Sequence, residues 1–425
     1  MFRTLRILFL WMISISFAHG QAADMASMEI SVEEDTRAII DAHISKYIAE
    51  GKLPGGVFMA AKDGHVIFQK AIGNNKEGDP YEIDDIFRIA SMTKAITSVA
   101  IMQLYEQGKI ELDEEVSKYI PAFTNVAVLD EFNSVDSSFT TVPLNTPLTI
   151  RNLLSHTSGI YYGDFSQRDL QMISAKLGLL GIGLAGEGTT EDMVNHIARQ
   201  PLAHQPGAKW TYGLNMEVLG RIVHIVSGQN LAEYFRKNIL DPLDMEDTWF
   251  YLPGAKHDRL TEVYAPVGPA QMMIVPIPMM KYPTWPNRDY YAGGGGLSGT
   301  ASDYLDFTQA LVNGGQLNGN RILKEETVDL MASDQLDLIG VKEKGWVASN
   351  NHGFSLGFRV LNENSLDDVP FSPGTYSWSG YFNTRFWIDP ELDLVFVGMT
   401  QIVPFQHNEF WDELYQLVYQ LVEEE

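Results

Sequence analysis

The sequence predicts an α+β fold: one antiparallel sheet flanked by helices, a mostly helical region, and an active site between them. Three observations carry this prediction. A hairpin pattern lies near the start of the chain, further strand patterns fall in its last third, and helical periods occupy the middle and both ends. Strands from both chain ends meeting in one sheet, with helices segregated elsewhere, make the α+β layout.

The first 22 residues have the pattern of an export signal. Arg3 and Arg6 precede an apolar run from Ile7 to Phe17, and small residues follow at Ala18, Gly20 and Ala22. The run is short for a bilayer span. Residues 1–22 are therefore expected to be removed, leaving 23–425 as one catalytic domain that is periplasmic or secreted and without stable membrane insertion.

An amphipathic helix is predicted from Ser31, where Glu34 completes a capping box and Ile39, Ile40, Ile44 and Ile48 give the helical period. A hairpin follows, with Gly56 to Ala61 and His65 to Ile72 joined by Asp63-Gly64, a favoured two-residue turn. From Lys94 to Gln107 the spacing of Ile96, Val99, Ala100 and Leu104 predicts a helix that stops at Gly108. The sheet region is expected at about 31–111 and 290–425, with the helical region at about 112–289 between its two parts.

Within that middle region, Thr149–Ser155, Glu191–Arg199, Glu217–Ser227 and Leu231–Ile239 have helical apolar spacing. Ala265 to Tyr291 shows no period and carries Met272, Met273, Met279, Met280, Tyr282, Trp285, Tyr290 and Tyr291. Such a stretch could wall a substrate pocket or cover ordinary core. Ala301–Val312 is again helical, Phe354–Val360, Thr384–Ile388 and Leu394–Met399 are strand-like, and an amphipathic helix carrying Phe410, Trp411, Leu414, Leu417, Val418, Leu421 and Val422 ends the chain.

Composition narrows the function. A net charge of -25 disfavours nucleic acid, whose phosphates need Lys and Arg patches. The absence of cysteine removes disulfides, thiol nucleophiles and Cys–zinc sites. Ten scattered histidines without an H-E-x-x-H arrangement predict no metal, and nothing in the chain calls for a cofactor. The G-x-S-x-G elbow is absent, and Gly293 to Gly296 lacks the Lys-Ser/Thr of a phosphate-binding loop.

The chemistry centres on Ser91-Met92-Thr93-Lys94. Positions i and i+3 share a helix face, so the Lys94 amine can reach the Ser91 oxygen. Ser91 would sit at a helix N-terminus, where free N–H groups and the dipole favour negative charge. An N-cap serine followed by a solvated lysine would give the same spacing. Tyr212, just before a helix, is the candidate second proton-transfer group, since a nearby cation favours a phenolate.

In a wider frame, Phe87 to Lys94 resembles the nucleophile segment of the serine β-lactamase and penicillin-binding-protein superfamily. Leu153 to Gly159, Pro206-Gly207 followed by Trp210 to Leu219, and Gly294 to Asp303 resemble further segments of that superfamily, in the same order. The chain is most similar to the class C-like branch, which includes family VIII carboxylesterases. The resemblance implies a β-lactamase/transpeptidase-like fold, with Ser91 as nucleophile, Lys94 as its base partner and Tyr212 as general acid/base. It also places Trp378, Ser379 and Gly380 at the substrate edge, with backbone N–H groups of Tyr381 and Ser91 around the oxyanion.

Two positions depart from the β-lactamase pattern. Leu214 replaces the asparagine of Y-x-N, with Asn215 one place later, and Trp378-Ser379-Gly380 replaces K-T-G. Loss of that lysine removes a cation that would hold a substrate carboxylate. The sequence therefore predicts hydrolysis of a small-molecule ester through an acyl-enzyme on Ser91. A D-amino peptidase, an amidase, a weak β-lactamase, or a silent cell-wall-binding or sensor protein are the alternatives. His156 needs no role in a Ser–Lys–Tyr site and is expected to be structural.

Overall fold

The computed structural model describes residues 36–423 apart from 77, 180–187, 269, 276–281, 287, 348–351, 364 and 366–369. The signal-like segment and the Ser31–Glu34 cap lie outside the described residues.

Eight strands build the main sheet: β1 (Gly55–Lys62), β2 (His65–Lys76), β3 (Asp79–Pro80), β4 (Gly353–Phe354), β5 (Arg359–Val360), β6 (Tyr376–Ser379), β7 (Arg385–Asp389) and β8 (Leu394–Met399). Their order is β4-β5-β6-β7-β8-β1-β2-β3, and neighbouring strands run antiparallel. The two chain ends meet where β1 pairs with β8, Val57 opposite Met399 and Lys62 opposite Leu394. The β1–β2 turn has φ of 49° at Asp63 and 76° at Gly64. Left-handed conformation at both turn residues matches the twist of the flanking strands.

Five helices frame the sheet and the site: α1 (36–49), α2 (Thr93–Glu106), α3 (Asn215–Ser227), α4 (Ala301–Val312) and α5 (Glu409–Glu423). Alternation along β1 divides the interior. Val57, Met59 and Ala61 face the larger core with α2 and α4, whereas Phe58 and Ala60 face a second core beneath α1 and α5. In that second core Ile40 and Ile44 of α1 pack with Phe410, Trp411 and Leu414 of α5. Strands buried on both faces read as continuous apolar runs, which is why β8 shows no alternation. Ile39, counted in the helical period of α1, is instead 51% exposed.

Other expectations change in detail. α2 is buried from Thr93 to Leu104, polar Thr97, Ser98 and Gln103 included, because it runs through the interior and contacts α3. Phe354–Val360 is two short strands joined through Gly357, whose φ is 114°. The helix expected over Leu231–Ile239 ends at Phe235 and continues as a π-turn, Arg236–Leu240. Two hairpins lie in the middle region read as helices and loops: Val128–Asn133 with Ser138–Val142, and Tyr264–Gly268 with Gln271–Ile274. The second falls inside the stretch that shows no period, where Pro266 and Gly268 hide the alternation. No described helix is long and apolar enough to cross a membrane.

Candidate active site

Ser91 lies in a single 3₁₀ turn, Ala90–Met92, that leads into α2. The preceding Ala90 has φ of +43°, a left-handed conformation unusual for alanine. Such a residue costs on the order of 1–3 kcal/mol and is held only where its surroundings over-determine it. Here the end of β6 provides the constraint. A side chain at Gly380 would overlap the Ile89 carbonyl and the Thr384 hydroxyl, so that strand end presses directly on the turn carrying Ser91.

One helical turn later, Lys94 is buried and its ammonium meets three acceptors. Nζ lies 3.1 Å from Ser91 Oγ, 3.2 Å from the Tyr162 hydroxyl and 2.5 Å from the Gly294 carbonyl. Three donors facing three oxygens suit the charged form. Burial pushes the Lys94 pKa down, but the phenol oxygens of Tyr162 and Tyr212 outweigh it and the net shift is upward. Burial raises Tyr162 against the opposing pull of Lys94.

Tyr212 approaches from the other side, its hydroxyl hydrogen-bonded to Ser91 Oγ at 2.8 Å. Lys94 Nζ is 4.9 Å from the Tyr212 ring centre, so the cation faces the ring as well as the serine. The main chain beside Tyr212 is held by Thr211 N–H donating to the His156 carbonyl at 2.8 Å. The His156 ring is buried, with Nδ1 2.7 Å from Asn215 Nδ2 and its ring centre 5.0 Å from that of Tyr212. Burial, reinforced by Lys94, holds His156 well below the ordinary histidine range. Among the described residues it packs against Tyr212 and does not hydrogen-bond to Ser91.

Leu214 is part of the core and Asn215 is tied to His156 and Ser158, the latter bond at 2.5 Å. Neither lines the cleft, so no asparagine amide stands where Y-x-N would put one.

The cleft above Ser91 has a volume of about 560 Å³. Trp378, Ser379, Gly380 and Tyr381 all line it, together with Ser91 and Tyr212. Its aromatic wall comes from Trp210, Tyr212, Trp346 and Trp378: Trp346 stacks on Trp378 at 6.0 Å and meets Trp210 edge-on at 5.0 Å. Trp346 is 60% exposed at the mouth. Described residues of the Met- and aromatic-rich stretch do not form this wall. Met272 packs on the second core, Tyr282 and Trp285 pack with Ala90 and Phe382, and Met279 and Met280 lie outside the described residues.

Sequence reasoning missed three side chains here. Tyr162 is three residues beyond the Leu153–Gly159 segment, and that closeness was its only signal. Glu217, in the first turn of α3, accepts N–H bonds from Gly293 and Gly294, each at 3.0 Å. Burial pushes its carboxyl up to about 7 against those two bonds and Lys94. Lys209 brings a cation to the cleft in place of the lysine absent at 378, but it is paired with Glu343 at 2.8 Å. Among the described residues no cluster of His, Asp and Glu could hold a metal ion.

The description Beta-lactamase fits the family model that matches residues 40–420. The chain belongs to this family. It is a serine hydrolase of the β-lactamase fold. Protein Rv1367c of Mycobacterium tuberculosis (strain ATCC 25618 / H37Rv) is 31% identical over 85% of this chain and 89% of its own. Esterase EstB of Burkholderia gladioli is 29% identical over 85% of this chain and 90% of its own. Among solved structures, EstCE1, a hydrolase with promiscuous acyltransferase activity, superposes with a TM-score of 0.77. It is 24% identical and covers 91% of this chain and 99% of that one. That likeness establishes the shared α+β fold.

Proposed function

We propose that this β-lactamase-family chain hydrolyses small carboxylic esters through an acyl-enzyme on Ser91. One observation carries the proposal: Ser91 Oγ lies between the Tyr212 hydroxyl at 2.8 Å and the Lys94 ammonium at 3.1 Å. Because Lys94 holds its proton, the base is Tyr212, which acts after its hydroxyl proton has been released to solvent: its oxygen takes the proton of Ser91 while Oγ attacks the ester carbonyl. Tyr212 then returns that proton to the departing alkoxide, which leaves as the alcohol. Water attacks the acyl-serine, giving one proton to Tyr212, and collapse of the adduct regenerates Ser91 and the carboxylic acid. Lys94 stays charged throughout and stabilises the negative oxygens in turn. The backbone N–H groups of Ser91 and Tyr381 are the proposed oxyanion donors.

The choice of an uncharged ester rests on the aromatic wall and on Trp378 at the substrate edge. Lys209 does not alter this, since Glu343 neutralises it. The similarity to Esterase EstB over most of both chains supports the same substrate class. β-Lactam turnover is expected to be weak or absent. Export is likewise proposed, from residues 1–22 alone, with 23–425 as the catalytic domain. N-terminal sequencing of protein from the periplasm and medium tests it, and an intact Met1 on cytoplasmic material would reject it.

The function is tested by assaying wild type and Ser91→Ala on a p-nitrophenyl ester, a chromogenic cephalosporin and a D-Ala-D-Ala peptide. Turnover confined to the ester and abolished by the substitution supports the proposal. Preferred turnover of the peptide indicates the peptidase, and no acylation by any substrate indicates a silent binding protein.

A further inference from the structure

Glu217 is a buried carboxylate that the reaction scheme does not use. Its two oxygens divide between consecutive backbone donors: Oε2 accepts from Gly293 N–H and Oε1 from Gly294 N–H, both at 3.0 Å. These residues begin the run Gly293 to Gly296, the least conformationally restricted sequence a chain can have. Yet the Gly294 carbonyl must point accurately, because it accepts the 2.5 Å bond from Lys94 Nζ. The Gly293 carbonyl is also engaged, by the Thr97 hydroxyl of α2 at 2.6 Å.

The site leaves no slack around this clamp. A methyl group on Gly294 would lie 2.8 Å from Glu217 Oε1 and 3.3 Å from both Lys94 Nζ and the Tyr162 hydroxyl. A continuous chain of contacts therefore runs from Glu217 through the Gly294 peptide to Lys94 and on to Ser91 Oγ. We propose that Glu217 is a positioning residue: its ionised carboxylate holds the Gly293–Gly294 peptides so that Lys94 is fixed against the nucleophile. This rests on the assignment of Ser91 as nucleophile. Only the carboxylate form presents two full acceptors to two N–H donors; a protonated carboxyl, or an amide, turns one of them into a mismatched donor.

The titratable groups facing Glu217 are Lys94 on α2, Tyr162, and Tyr290 from the segment before the glycines. Burial raises Glu217 to about 7, so protonation would loosen the clamp in the range where activity is measured.

The test compares wild type, Glu217→Gln, Glu217→Asp and Ser91→Ala in steady-state p-nitrophenyl ester hydrolysis from pH 5.5 to 8.5. Glu217→Gln is expected to lower kcat by about 10- to 100-fold, the scale of a misplacement of reacting groups. KM should remain within about twofold, because Glu217 does not touch substrate. The wild-type acid limb near pH 7 should disappear in Glu217→Gln, and Glu217→Asp should retain a limb and recover part of kcat. A folded Glu217→Gln with wild-type kcat and pH profile overturns the proposal. Should that variant not fold, Glu217→Asp decides: a kcat lowered with KM unchanged supports the clamp, and wild-type kcat with an unshifted pH profile overturns it. Activity surviving in Ser91→Ala would instead reject the nucleophile assignment itself.

Discussion

Gly294→Ala isolates the contact between the glycine segment and Lys94. The backbone at 294 is not left-handed, so alanine introduces no torsional penalty there and acts only through its methyl group. That methyl would lie 2.8 Å from Glu217 Oε1 and 3.3 Å from Lys94 Nζ and the Tyr162 hydroxyl. To reach ordinary van der Waals separation, Glu217 must retreat by about 0.6 Å and Lys94 by about 0.1 Å, or the peptide must move by a comparable amount. Overpacking of this kind costs about 1–3 kcal/mol of stability. Displacing the group that holds a nucleophile is more severe for rate, and misplacement on the ångström scale costs about 10²-fold. The expected outcome is a folded protein, melting a few degrees lower, whose kcat/KM on a p-nitrophenyl ester falls by roughly 30- to 100-fold. Circular dichroism and thermal melts check the fold, and initial rates check the chemistry. A folded Gly294→Ala enzyme within twofold of wild type would refute the reasoning that the Gly294 carbonyl matters to Lys94.

Three further outcomes follow from the same contacts. Tyr212→Phe should lose about 10²- to 10⁴-fold in kcat, the usual worth of a positioned acid/base, with an unchanged circular dichroism spectrum; near-full activity would remove Tyr212 from proton transfer. On α1, Ile40→Ala should cost about 2–5 kcal/mol in a denaturant titration because Ile40 is fully buried, whereas Ile39→Ala should stay within about 0.5 kcal/mol; equal losses would mean the helix face is assigned wrongly. Glu217 also links pH to stability. Its carboxyl is raised in the folded state, so the fold binds the proton more tightly than the unfolded chain, and stability is lost as pH rises from the ordinary carboxylate value through about 7. Relative to Glu217→Gln, wild type should lose on the order of 3 kcal/mol between pH 4.5 and 8, read from urea titrations at both ends; a pH-independent difference would reject the raised pKa.

Local patterns were enough for several elements because the forces behind them are local. Asp63-Gly64 announces a two-residue turn through the backbone freedom of its residues, and α5 announces itself through an apolar stripe that must be covered. Ser91 and Lys94 are one helical turn apart, so their meeting follows from helix geometry as soon as α2 exists. The middle hairpins were illegible for the opposite reason. Val128–Asn133 and Ser138–Val142 are largely solvent-exposed strands whose pairing leaves little apolar alternation to read.

The α+β class, the helix that carries Lys94 just after Ser91, and the aromatic character at Trp378 were all written in neighbouring residues. The environment that makes Ser91 a nucleophile candidate was not. Tyr162, Tyr212 and Gly294 reach Ser91 or Lys94 from 68 to 200 residues away, and Glu217 acts through Gly294 across a separation of 77. No period or spacing encodes such contacts. They exist because the sheet joins both chain ends, α2 runs buried through the interior, and burial changes which proton each group holds.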